Sequence, residues 1–170
     1  MKQIFLDTLQ KEDEIEALIS SFSSDSVFDL EISYISDFKN AKKIRSIVDV
    51  ICANYNISLK WRSRLVLICD ELNNNAIEYG SEHGDTNIFR LTLNQNQISI
   101  SVSDSGRWKF AKKADTMNKV KQELESTDFK KHRSIRGRWL FLIINQLVDS
   151  LEFIDASHWW LIVRVEKFLS

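Results

Sequence analysis

Apolar and polar positions alternate along this chain with two different periods, and each change of period marks an element. Over residues 27–34 apolar side chains recur with the two-residue repeat of a half-buried strand. The period then lengthens: Ile44, Ile47, Val48, Ile51 and Cys52 fall three and four apart, predicting a helix over 37–55 that Asp37 or Asn40 caps. Ser58 precedes a second long helix with Leu65, Ile68, Leu72 and Ala76 on its inner side. Residues 88–94 and 97–104 return to alternation and read as a hairpin around Asn94-Gln95-Asn96-Gln97. An apolar run over 139–148 predicts a buried helix, and 150–155 with 159–165 predict a last hairpin.

Strands that pair mostly with sequence neighbours, interleaved with helices, give an α+β fold. The expected architecture is a two-layer sandwich with a mixed, mostly antiparallel sheet and helices on one face. Ahead of it, Leu9, Ile15, Leu18 and Ile19 lie among acidic residues in an amphipathic pattern over 8–22, followed by a serine-rich stretch. Residues 1–27 are therefore read as a helical extension and 28–170 as the domain. Between Gly106 and Arg136 the chain is polar and rich in lysine and arginine. It is either a surface helix over 115–124 followed by a loop, or a mobile lid with a lysine or arginine reaching a bound phosphate, and its position favours the lid.

Composition narrows the partners. A chain of 170 residues can bury a substantial core, and 23 basic against 24 acidic residues leave a net charge of -1, which gives no electrostatic case for nucleic acid. No leader pattern opens the sequence, and no apolar run approaches the roughly 20 residues needed to cross a bilayer. No membrane is expected, and the cytoplasm is the expected compartment. Cys52 and Cys69 sit in apolar helical patterns as reduced, buried thiols, and His83, His132 and His158 have no metal-ligand spacing.

Candidate chemistry lies in three places. Glu71 and Asn75 stand four apart on the second helix and share a face, where a carboxylate can take a proton and an amide oxygen can ligate magnesium. The plainer reading of such a pair is a solvated stripe. Asp104 ends an alternating strand and is followed by Ser105-Gly106, which either aims a carboxylate into a cleft or simply turns the chain. Gly137, between Arg136 and Arg138, stands at the start of the 139–148 run, where free backbone N–H groups favour phosphate if the glycine is more than a cap.

Taken in order, Glu71 to Gly80, Asp104 to Gly106 and Gly137 to Asp149 resemble the N box and the two glycine boxes of the GHKL ATPase superfamily. The nearest pattern is that of the bacterial anti-sigma-factor serine kinases. That resemblance covers roughly residues 28–167 and implies a Bergerat-type ATP-binding fold using ATP and magnesium. It makes Glu71 the general base and Asn75 the magnesium ligand. Asp104 becomes the acceptor for the adenine amino group, Gly106 the residue admitting the base, and Gly137 with Arg138 the donors to phosphate. The implied activity is phosphorylation of a serine on a small antagonist protein in a partner-switching system. The implied partners are a sigma factor or an anti-sigma antagonist, and a homodimer stays open. Three positions depart from the pattern: Tyr79 replaces a histidine, and Trp108 and Trp139 replace glycines. They sustain the alternative of a catalytically degenerate protein-binding module of the same fold. A histidine kinase proper is disfavoured because no phosphoacceptor helix pair is present.

Overall fold

The computed structural model of the chain describes residues 1–8, 17, 27–107, 112–125, 143–156 and 160–169. Its sheet has six strands, β1 (Lys2–Phe5), β2 (Val27–Ile35), β3 (Thr86–Asn94), β4 (Gln97–Asp104), β5 (Ser150–Asp155) and β6 (Leu161–Phe168), in the order β1-β2-β3-β4-β6-β5. Only β1 runs parallel to its neighbour, so the sheet is mixed and mostly antiparallel as the sequence implies. The described helices are α1 (Phe38–Asn54), α2 (Leu59–Asn75) and α3 (Ala114–Glu125).

Alternation decides which side chains go inward. Phe28, Leu30, Ile32 and Tyr34 of β2, Phe89, Leu91 and Leu93 of β3, and Ile98, Ile100 and Val102 of β4 are all buried. They meet Ile44, Ile47, Val48 and Ile51 of α1 and Leu65, Ile68 and Leu72 of α2 in one core. The residues between them on the strands make a polar outer face. A straight row across all six strands reads Gln3, Glu31, Arg90, Ser101, Arg164 and Glu152, in which Glu31 pairs with Arg90 and accepts from Gln3.

Local chemistry sets the element ends. The Asp37 carboxylate accepts from the Lys39 N–H at 2.8 Å and is the cap of α1. Asn40, the other candidate, is buried instead and donates to Asp7 and to the Ile35 carbonyl. At the β3–β4 hairpin the Asn94 side chain accepts from the Asn96 and Gln97 N–H groups, the asparagine turn that its position predicts.

Two expectations require correction. Residues 2–5, inside the stretch expected to be a helical extension, form β1 beside β2, and Leu6, with no exposure, belongs to the core. The sheet therefore reaches back into the segment read as a helical extension. Four residues at a sheet edge are too few to show a period against the background of the following acidic stretch. The helix pattern at 8–22 lies outside the described residues apart from Thr8 and Ala17. The last strand, expected over 159–165, runs over Leu161–Phe168 and so ends three residues later, because it pairs with β4 along its whole length, from Leu161 opposite Asp104 to Phe168 opposite Gln97; residue 159 lies outside the described residues. Register with a central strand overrides the local apolar pattern. Of the 139–148 helix, residues 143–148 are described, and Ile143–Leu147 form a π turn.

Candidate functional site

The C-terminal end of α2 is fastened to the sheet by its neighbouring asparagine. Asn73 is fully buried, accepting from the Tyr34 hydroxyl at 2.7 Å and donating to the Cys69 carbonyl at 2.7 Å. Asn75, two residues on, therefore points elsewhere and is exposed, while Glu71, one turn earlier, is half-buried. Burial, with Asp70 adding to it, raises the proton affinity of Glu71 above the usual carboxylate range. Beyond Asn75 the helix widens into a π turn, Ala76–Gly80, closed by the Ser81 N–H donating to the Ala76 carbonyl at 2.9 Å. Such widened turns re-aim the side chains that follow and recur at functional sites.

Strand β4 delivers the second component. Its inward positions are Ile98, Ile100 and Val102, so the next one, Asp104, is aimed into the layer between sheet and helices and is only 5% exposed. Burial pushes its carboxyl up to about 6, against hydrogen bonds from the backbone N–H groups of Gly106 and Leu161. The Gly106 bond to Oδ1 measures 3.0 Å, and Gly106 adopts φ +64°, a conformation glycine takes without strain. Gly80 faces the other side of the carboxylate. A Cβ built there would stand 2.2 Å from Cγ and Oδ2 of Asp104, so the close approach of π turn and strand end requires glycine.

Between them lies a cleft of about 270 Å³. Leu72, Val102, Met117, Phe153, Leu161 and Val163 supply apolar walls, and Asn75, Tyr79, Asp104 and Lys112 supply the polar groups. A slot of this kind suits a flat heteroaromatic ring with one hydrogen-bond donor, carried on a more polar body. Helix α3 forms one wall through Met117 and Val120, held in place by Asp155, which accepts from the Ala114 N–H at 2.8 Å, and by Lys121, whose Nζ donates to the Leu151 carbonyl at 2.8 Å.

The model of the histidine kinase-like ATPase domain matches residues 36–165, a range that takes in the π turn, Asp104, α3 and Leu161. The chain belongs to the histidine kinase-like ATPase family. Among solved structures, a chain of the SiaB–SiaC complex from Pseudomonas aeruginosa is similar in fold. It has a TM-score of 0.58 and 11% sequence identity over 90% of this chain and 96% of that one. No curated protein matches the sequence.

Within this histidine kinase-like ATPase domain, two of the residues singled out by sequence, Asn75 and Asp104, line the same cleft. Gly106 stands beside it as a donor to Asp104, and Glu71 lies one turn before Asn75 without lining it. Gly137 and Arg138 lie outside the described residues, as do Trp108 and Trp139. Gly80 ends the first of the three sequence motifs but had no role assigned, and Met117, Val120, Phe153 and Leu161 were not singled out. The motif itself was the available signal for the first. The others are ordinary apolar residues that only the tertiary fold brings to one slot. No described helix is long and apolar enough to cross a membrane. Among the described residues no three of His, Cys, Asp and Glu cluster into a metal site. A single amide oxygen beside an open cleft still fits magnesium, which keeps several waters and takes substrate phosphates as its other ligands.

Proposed function

We propose that the cleft binds ATP with magnesium, and that the protein is a cytoplasmic partner-switching regulator of the anti-sigma-factor type that phosphorylates a serine on a small antagonist protein. The observation that carries this reading is the buried carboxylate of Asp104 sharing one apolar slot with Asn75. Asp104 accepts from the amino group of adenine, and the apolar walls take the ring. Asn75 is the residue to hold magnesium, which when bound neutralises phosphate charge. Gly137 and Arg138 donate to the phosphates.

Glu71 takes the proton of the substrate serine as its oxygen attacks the terminal phosphorus and ADP departs. A carboxylate with raised proton affinity is the better base for that step, and phosphoryl transfer otherwise asks mainly for positioning and charge neutralisation. A protein partner, a sigma factor or an antagonist, is supported by the similarity to a chain solved in a two-protein complex.

Calorimetric titration with magnesium-ATP, magnesium-ADP and metal-free ATP tests the reading. Wild-type protein is expected to bind ATP in a magnesium-dependent manner, Asn75→Ala to lose that dependence, and Glu71→Ala to bind normally but transfer no phosphate to the antagonist. Absence of any nucleotide binding by the folded wild type would sink it. Binding without transfer would leave the non-catalytic module of the same fold, a reading favoured by tryptophan at positions 108 and 139.

A further inference from the structure

The turn that presents Asp104 is held from outside the cleft by the loop joining the π turn to β3. Ser105, 3% exposed, is gripped twice: its N–H donates to Ser81 Oγ at 3.0 Å and its hydroxyl donates to Asp85 Oδ2. Asp85 also accepts from the Glu82 N–H at 3.1 Å through Oδ2 and pairs with the Arg107 guanidinium at 3.1 Å through Oδ1. Its own backbone is fixed, the carbonyl accepting from the Ser36 N–H at 2.7 Å and the N–H donating to the Glu82 carbonyl at 3.1 Å. Ser81, 3% exposed, donates in turn to the fully buried Asn87. One carboxylate thus spans the residues on both sides of Gly106, whose N–H orients the carboxylate of Asp104.

We propose that Asp85 is a positioning residue for base recognition: by clasping Ser105 and Arg107 it fixes the Asp104–Gly106 turn so that the Asp104 carboxylate selects a purine bearing an exocyclic amino group. This rests on the reading of the cleft as a nucleotide site. Without the clasp the turn keeps its fold through Ser81 but loses the restraint on the Ser105 hydroxyl and on Arg107, and the carboxylate no longer stands in one orientation. Interactions that depend on direction weaken steeply under such freedom, whereas burial of the ring and contacts to phosphate do not.

ATP and ITP separate these contributions, because they differ at the base in the group Asp104 meets: an amino donor in one, a carbonyl oxygen in the other. Affinities of both, with magnesium, are measured for wild type, Asp85→Asn and Ser105→Ala, with melting temperatures alongside. Wild type is expected to prefer ATP by about tenfold or more, as a site built around one hydrogen bond does. In Asp85→Asn the preference is expected to fall by about tenfold through loss of ATP affinity, with ITP affinity nearly unchanged. Ser105→Ala removes one strand of the clasp and is expected to lose part of the preference, and it decides the matter if Asp85→Asn fails to fold. Parallel loss of both nucleotides, or an unchanged preference, in folded variants overturns the positioning role while leaving the nucleotide reading intact. A wild type that binds both equally overturns the role of Asp104 itself and this inference with it.

Discussion

A carboxylate sunk in an apolar layer is a cost that the fold carries, and Asp104 is such a group. Its folded value of about 6 stands above the ordinary 3.8, so between those values the native chain holds more protons than the unfolded one, and stability falls as pH rises. The contribution is fully present below pH 3.8 and lost above pH 6, with a total of about 3 kcal/mol. Asp104→Asn keeps an acceptor for the Gly106 N–H and removes the buried charge. The variant is expected to be more stable than wild type by about 1–3 kcal/mol at pH 8, with little difference at pH 4, while losing nucleotide affinity. Urea melts at the two pH values check this, and an equal difference at both would show that the carboxylate's charge is not the cause. Gly80 belongs to the same account, since the site admits the carboxylate only because no Cβ stands opposite it.

At the scale of elements, α3 is the cleft wall whose described anchors to the sheet edge include Asp155 and Lys121. Asp155→Ala leaves the Ala114 N–H without its acceptor at the helix start. The expected cost is about 1 kcal/mol of stability, with faster amide exchange across 114–121 and weaker nucleotide binding. Exchange protection that is unchanged there would assign the anchoring to other contacts. Elements with a clear period were legible in the sequence: α1, with Asp37 one of two cap candidates, β4 to the residue, and the helix bearing Glu71 and Asn75; a helix near 115–124 was the plainer of two readings of its segment. Site residues announced by chemical type, such as Asn75 and Asp104, were legible too, in the sense that both reach one cleft. The apolar wall was not, because Met117 or Phe153 in a sequence carries no mark that distinguishes cleft from core. Nor was the part played by Asn73, which only the buried bond to Tyr34 reveals as structural. The clasp at Asp85 joins residues from two loops that no local pattern connects.

For the molecule as a whole, β1 and Leu6 make the first residues part of the structural unit. Leu6→Ala is expected to cost about 2–5 kcal/mol, the range for a fully buried leucine, and should appear as a lower denaturant midpoint with unchanged slope. A cost below 1 kcal/mol would show that the edge strand frays without disturbing the core. The strand order has a further consequence, in time rather than in space. Since β6 inserts between β4 and β5, and Leu161 supplies both a neighbour and a backbone donor for Asp104, the cleft cannot close until the latest of the described strands has been synthesised. During translation β4 waits with one hydrogen-bonding edge bare while the intervening chain is made. Pairings of such high sequence separation form slowly and expose sheet edges as they do. A ligand that occupies the finished cleft then stabilises only chains in which β6 has found its place.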